Sequence, residues 1–559
     1  MTSLPADGTL GALLADRTRH RPEAIALVAP GRAPLTHGEL AAQLEAVRRA
    51  LRARGIGRRG RVAVALPHGP ELAVALTGVA GAATAIPLDP AWRRAECLAA
   101  LTGARVDALL VGTPRTEAAR EAARELGIAL VELVPPPPDA PAGMFALRHE
   151  PADPAAPDEP AERDHVALVM HTSGTTGLAK RVPLSHANVV AGLASLEAAL
   201  GLGAADRCLA VMPFFHVHGL MVAWSALAAG GSLACPPPFD PTRALDWLAE
   251  LEPTWYSAVP AVHHAIVTQA RIEPASPRPT RLRLIRSASA PLAPALALEL
   301  ETVLGAPVLE AYGMTEAAHQ IAVSPLGAGG RKPGSVGLPT GCEVAIIDHA
   351  GHLLPAGETG EITVRGPALT VGYEADPAAT AAAFSDGWFR TGDLGHRDGA
   401  GHLFITGRRK DLINRGGEKI APREVEDVLA NHPAVAESAV FAVPHPVLGE
   451  DVAAAVVRRP GARATEREIR EFVARSLSAT KVPTTIRFVE TLPRGASGKI
   501  DRTTLAARAV PRADARPPGP GIEAAVAAIF ASVLDVRTVG ADESFFALGG
   551  DSLKATMVV

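Results

Sequence analysis

Directly after the apolar run Val166–Met170 and His171 comes Thr172-Ser173-Gly174-Thr175-Thr176-Gly177-Leu-Ala-Lys180. Glycines let backbone N–H groups approach an anion, the hydroxyls donate hydrogen bonds, and Lys180 adds a positive charge. Together they make a polyphosphate cradle at the end of a strand. The loop is not of the Walker A type, because Gly177 is followed by Leu-Ala and not by Lys and a hydroxyl. A second candidate is Lys499, flanked by Gly495 and Gly498, which alone would read as a solvated surface lysine. A third is Ser552 in Leu548-Gly549-Gly550-Asp551-Ser552-Leu553, which alone would read as an ordinary helix start.

The elements that must carry these residues are those of an α/β chain. Short apolar runs at Val62–Leu66, Val166–Met170, Leu284–Ile285 and Val344–Ile347 alternate with helix-period stretches such as Ala41–Arg54 and Glu117–Leu126. Leu72–Pro87 is apolar but too short for a span of about 20 residues, so it reads as a buried α/β segment. The Pro- and Asp-rich segment from Pro135 to Arg163 suits a surface loop. Beyond Lys410 the pattern changes: a helix opens at Ala421-Pro422, strands follow at Ser438–Val443 and Val452–Val457, and Thr465-x-x-Glu468 fits a capping box. A Pro/Gly/Arg linker then leads to an amphipathic helix carrying Ile522, Val526, Phe530, Val533 and Leu534. The expected division is an N-terminal domain over 1–409, a small α+β lid over 410–505, a linker over 506–520 and a partial helical carrier over 521–559.

Composition excludes other classes. With 48% hydrophobic and 20% charged residues among 559, the chain is folded, not disordered. A formal charge of −4 gives no global case for nucleic acid or an anionic membrane, so anions must be bound locally. Cys97, Cys208, Cys235 and Cys342 lie too far apart for a Cys-x-x-Cys or zinc-ligand spacing. They read as core thiols in a reducing, cytoplasmic setting, and the N-terminus lacks a signal-peptide pattern.

Eight elements in order carry a resemblance. They are Leu35-Thr36-His-Gly-Glu39, the Thr172–Lys180 loop, Met212-Pro-Phe-Phe-His216-Val-His218-Gly, Ala311-Tyr312-Gly313-Met314-Thr315-Glu316, Gly334-Ser-Val-Gly337, Arg390-Thr391-Gly392-Asp393, Gly407-Arg408-Arg-Lys410-Asp411 and Gly498-Lys499. Up to about Leu505 the chain resembles the adenylate-forming superfamily of acyl-CoA synthetases, peptide-synthetase adenylation domains and luciferases. The resemblance implies a large N-terminal domain of stacked sheets and helices, a mobile lid, and a two-step, ATP- and Mg²⁺-dependent acid–thiol ligation. Nothing in the sequence speaks for an oxidase, and the intact Lys499, Glu316, Asp393 and Arg408 speak against an inert scaffold of the same fold.

What the resemblance implies for single residues is also chemically sensible. Tyr312 would stack on adenine, Thr315 would bond the α-phosphate, and Glu316 would hold Mg²⁺ as a hard oxygen ligand. Asp393 would take the ribose hydroxyls with Arg408 nearby, while Ser289, Ala290, Pro291, Glu310 and Ala311 would complete the nucleotide pocket. Lys499 would bridge carboxylate and phosphate as charge builds at phosphorus. Lys499, Thr315, Glu316 and His216 are thus expected in the chemistry. Lys410 falls at the family's hinge, about which the lid turns so that a thiol can reach the acyl-adenylate past Arg415-Gly416-Gly417-Glu418-Lys419.

The acid is expected to be small and not an α-amino acid. Amino-acid-activating relatives place an Asp after the aromatic gate, where this chain has Val217, and a desolvated ammonium would then lack a partner. The wording of Phe215-His216-Val217-His218, Ile285-Arg-Ser-Ala-Ser289 and Glu310–His319 resembles the oxalyl-CoA synthetase branch, with malonyl-CoA synthetases nearby. His218, Ser289 and His319 would suit a second carboxylate, Gly313 bears on pocket depth, and an apolar pocket for a short acyl chain is the other reading.

The tail resembles a phosphopantetheine attachment site. Ser552 would be loaded by a phosphopantetheinyl transferase, and the acyl acceptor would be that 4′-phosphopantetheine or the one in CoA. About forty residues follow the linker against the four helices of a complete carrier, which expects a piece of a longer polypeptide or a degenerate carrier. The alternatives are a stand-alone oxalyl-CoA or acyl-CoA synthetase with a vestigial carrier, or a peptide-synthetase loading module.

Overall fold

The computed structural model describes residues 8–541 except 113–115, 138, 150–154, 173–179, 273–280, 495–498, 510–517, 520 and 535–538. Contacts divide the chain into one unit over Met1–Thr406 and a second over Gly407–Val559.

Two mainly parallel sheets frame the first unit. In one, the order runs Ala146–Arg148, Ala129–Val134, Ala108–Val111, Arg61–Ala65, Thr84–Pro87, Val166–His171, Arg181–Ser185. In the other it runs Leu338–Pro339, Ala322–Val323, Val308–Tyr312, Leu284–Ser287, Trp255–Ala258, Arg207–Leu209, Ser232–Ala234, Ile25–Val28, Leu35–Thr36. Their central strands are near-continuous Val/Leu/Ile/Ala runs, as strands covered on both faces must be. One apolar core joins Val62 and Val64 of the first sheet to Leu27, Cys208 and Trp255 of the second through the helices Pro70–Ala82 and Val217–Ala228. Every residue of Val217–Ala228 is buried, and a helix apolar all round has to be interior. The run Leu72–Pro87 is the buried helix Pro70–Ala82 followed by the strand Thr84–Pro87. A third, antiparallel sheet holds Glu343–Ile347, Gly360–Arg365, Trp388–Arg397 and Phe384–Ser385, with Leu403–Arg408 on Trp388–Arg397.

The capping box expected at Thr465 and Glu468 is present at the start of Glu466–Ala474, and Thr36 and Glu39, within the first of the eight motifs, form another at the start of His37–Ala53. Two differences have plain causes. Within the Pro-rich segment read as loop, Ala146–Arg148 pairs antiparallel with Ala129–Val134, an edge strand too short to show periodicity. The helix Arg502–Ala509 runs past Leu505, because Leu505 and Ala509 both seat in an apolar cluster with Phe441 and Leu492.

In the second unit the sheet order is Glu418–Ile420, Ile413–Arg415, Gly449–Arg458, Val435–His445, with Thr485–Phe488 parallel to Gly449–Arg458. Pro422–Ala430 and Glu466–Ala474 bury Val425, Leu429, Ile469 and Val473 into the same core. Among the described residues all four cysteines are free, and burial raises each thiol above its ordinary range. No described helix is long and apolar enough to cross a membrane.

Candidate active site

Parallel strands in the second sheet end side by side, and the chemistry-bearing residues collect at their carboxyl ends, where α/β sheets bind ligands. Register sets Ser257 beside Arg286 and Ser287 beside Glu310. Arg286 is fully buried. Its Nη1 donates to Ser257 Oγ at 3.0 Å and to His319 Nε2 at 2.8 Å, and its Nη2 donates to Gln320 Oε1 at 3.1 Å. His218, in the first turn of Val217–Ala228, meets Ser257 Oγ through Nε2 at 2.7 Å and Ser289 Oγ through Nδ1 at 3.1 Å. The His218 and His319 rings stack with centroids 4.6 Å apart. The structure thus brings together His218, Ser289 and His319, and adds Arg286, Ser257 and Gln320, which sequence reasoning missed. The available signal was an arginine inside an apolar strand.

The donors have an order. A guanidinium can only donate, so Ser257 Oγ and His319 Nε2 both accept from Arg286. The Ser257 proton is then available to His218 Nε2, and the Nδ1–H to Ser289 Oγ. Among the described residues no acidic side chain pairs with Arg286, and burial with no opposing charge lowers its pKa to about 9, so it stays charged at neutral pH. Burial first, then the charge of Arg286, hold His319 well below the usual imidazole range.

The loop Gly313–Gln320 closes on itself to present these groups. His319 N donates to Met314 O at 3.0 Å and Ile321 N to Tyr312 O at 2.9 Å. Ala318 and His319 have φ of 45° and 87°, conformations that cost energy without glycine. A Cβ on Gly313 would lie 1.4 Å from the His319 carbonyl oxygen, so only glycine fits the loop as it stands.

Thr315 and Glu316, expected from the sequence at the nucleotide, sit on the short 3-10 turn Thr315–Ala317, with Glu316 buried. Tyr312 is buried in an apolar cluster with Ile321 and Val336, and its hydroxyl donates to Asp393 Oδ2 at 2.5 Å. Ala311 is buried, Ser289 has φ of 70°, and Ala290 and Pro291 follow it in the connection between the strand Leu284–Ser287 and the helix Pro294–Leu304. His216 is the N-cap of Val217–Ala228, its ring 4.7 Å from that of Phe215, and Val217 is buried in the main core.

Ser173, Gly174, Thr175, Thr176 and Gly177 lie outside the described residues. The ends of their loop are pinned: His171 pairs with Arg181, and Thr172 N donates to Lys180 O at 2.9 Å. Lys180 Nζ lies 4.4 Å from the centre of the Tyr373 ring.

Arg408, Lys410 and Lys499 belong to the second unit and are exposed. Lys410 is in the 3-10 turn Arg409–Asp411. Lys499 sits next to a bridge between Arg494 and Ile500, and Asp501 N donates to Pro493 O at 2.8 Å. Ile413–Arg415 and Glu418–Ile420 form a hairpin whose Gly416 and Gly417 have φ of 60° and 96°, as a two-residue turn requires. Ser552 lies outside the described residues.

Comparison with known proteins gives the family. Residues 14–374 match the model of the AMP-binding enzymes, residues 424–499 that of the AMP-binding enzyme C-terminal domain, and residues 524–559 that of the phosphopantetheine attachment site. An oxalate–CoA ligase of Arabidopsis thaliana is 38% identical over 504 residues, 89% of this chain and 98% of that one. A sulfoacetate–CoA ligase of Cupriavidus necator is 38% identical over 504 residues, 89% and 97% of the two chains. The crystal structure of ATP-bound MatB from Rhodopseudomonas palustris superposes with a TM-score of 0.79 at 32% identity, over 89% of this chain and 98% of that one. The chain belongs to the family of AMP-binding enzymes. Within it, this is an acid–thiol ligase of the AMP-forming kind.

Proposed function

We propose that the enzyme activates a small carboxylic acid bearing a second anionic group, and passes the acyl group to a phosphopantetheine thiol. The observation that carries this reading is Arg286, a buried cation with no acidic partner among the described residues. Leaving such a charge unbalanced is costly, and an anion on the substrate would balance it. Ser289, which accepts from His218 and is tied through it and Ser257 to Arg286, would turn its hydroxyl proton toward the same group. An α-amino acid is disfavoured twice: Val217 offers its ammonium no partner, and Arg286 repels it. The names oxalate–CoA ligase and sulfoacetate–CoA ligase of two relatives support a two-carbon acid with a second acidic group.

In the first step a carboxylate oxygen attacks the α-phosphorus of ATP, and pyrophosphate leaves. Thr315, Lys180 and the loop from Thr172 would hold the phosphates, His216 would lie beside the reacting carboxylate, and Lys499 would neutralise the charge that builds between carboxylate and phosphate. Glu316 offers the hard, buried carboxylate that suits Mg²⁺, which when bound offsets phosphate charge. Asp393, with Arg408, would take the ribose, and Ser289–Pro291 and Glu310–Tyr312 would line the base. In the second step a thiolate attacks the acyl carbonyl and AMP leaves. Turning about Lys410 within a 1–409, 410–505 division would clear Lys499 from the site and present Arg415–Lys419 to pantetheine.

The acceptor is read as a phosphopantetheine on Ser552 or in CoA, the first supported by the match at residues 524–559. Intact mass after incubation with a transferase and CoA tests it, no adduct on Ser552 leaving CoA. ATP–pyrophosphate exchange with oxalate, malonate, sulfoacetate, short fatty acids, benzoates and amino acids tests the acid. Fastest exchange with a two- or three-carbon diacid or sulfo-acid is expected; fastest exchange with an amino acid would overturn the reading.

A further inference from the structure

Tyr373 has no part in the reading above, yet it touches both ends of the nucleotide site. Its hydroxyl donates to Glu316 Oε1 at 2.8 Å, and its ring carries Lys180 Nζ at 4.4 Å from the centroid. The backbone on either side is fastened to the same two places. Thr370 N donates to Glu316 O at 2.8 Å, and Thr370 Oγ1 to Pro183 O at 2.6 Å. On the other flank Glu374 N donates to Arg181 O at 3.0 Å. The Glu374 carboxylate accepts from Arg61 at 3.0 and 2.9 Å and lies 3.5 Å from Arg181 Nε.

Thr370–Glu374 is therefore a strap across the residue that follows Lys180 and the turn that carries Glu316. Between its anchors Tyr373 satisfies a buried carboxylate with one atom and a cation with its π face, two contacts of different physical origin.

We propose that Tyr373 is a positioning residue that sets the Glu316 carboxylate for a divalent cation and holds Lys180 at a fixed separation from it, ready for the phosphates of ATP. This rests on the reading of Glu316 as the metal carboxylate and Lys180 as a phosphate ligand. A side chain that orients a metal-binding carboxylate contributes to metal affinity without touching the metal.

The test uses the full chain, Mn²⁺ as the probe, and α,β-methylene-ATP, with bound Mn²⁺ counted by electron paramagnetic resonance. Tyr373→Phe keeps the ring and removes the hydroxyl; it is expected to weaken Mn²⁺ binding about 10-fold. The same variant should leave analogue binding in EDTA changed by less than about twofold, because Lys180 keeps its ring. Tyr373→Leu should show the same Mn²⁺ loss and weaken analogue binding in EDTA by about 3-fold or more. Glu316→Gln separates the two levels. If it loses Mn²⁺ and Tyr373→Phe does not, the positioning role is overturned and the metal assignment stands. If Glu316→Gln binds Mn²⁺ as the parent does, both fall.

Discussion

Arg286 and His319 meet with Nη1 2.8 Å from Nε2, so a cation that cannot accept forces the imidazole to receive. The pair has no carboxylate of its own among the described residues, and an anion that supplies one should stabilise the protein even without ATP. Malonate or oxalate at about 100 times its dissociation constant should add about 2.7 kcal/mol. Acetate at equal concentration should add much less. Thermal unfolding in the presence of each acid checks this, and equal shifts for acetate and malonate would remove the argument.

Gly313→Ala places a methyl group where the His319 carbonyl oxygen stands. The 313–320 loop must move, and with it Thr315, Glu316 and His319. A displacement near 1 Å costs about 100-fold in rate. The expected result is a fall in kcat/KM of at least about that size with the fold retained by circular dichroism; near-parental kinetics would mean that the loop has another arrangement during catalysis.

Lys499→Ala should remove adenylation while sparing thioester formation from supplied acyl-adenylate. Single-turnover measurement of each half-reaction decides it. Equal loss in both would mean that Lys499 serves the structure of the second unit and not the first chemical step.

Acid should unfold the first unit by way of its buried histidines. Burial lowers His68, His171 and His186 to about 4 and His263 to about 3, against 6.5 when exposed. Between those values and 6.5 the unfolded chain binds protons that the native chain refuses, so stability rises with pH there and is lost as pH falls from about 6.5 toward 4. The slope approaches about 1.4 kcal/mol per pH unit for each histidine. Melting temperatures from pH 7.5 to 4.5 should decline through this window, whereas a flat profile would show that these rings can charge in the native state.

Much of the candidate site is legible in the sequence because the Thr172–Lys180 loop, Thr315, Glu316 and Asp393 stand in contiguous motifs, and the helix start at Thr465 declares itself through its capping residues. Arg286 does not, although it lies inside the motif Ile285–Ser289. Its partners Ser257 and Gln320 come from other elements, and only strand register sets Ser257 beside it. Tyr373 was missed for the same reason: its bond to Glu316 spans 57 residues of sequence. What is contiguous or periodic can be read from the chain; what depends on one strand's alignment with the next cannot.

The most direct test of the central claim is a specificity ratio. For the parent enzyme and Arg286→Met, kcat/KM is measured for malonate and for butyrate by pyrophosphate release, and the two ratios are compared. A desolvated charge-assisted pair is worth enough that the malonate-to-butyrate ratio should fall by about 100-fold or more, with butyrate turnover retained. An unchanged ratio, with both acids used as before, would contradict the assignment of Arg286 to the second anionic group.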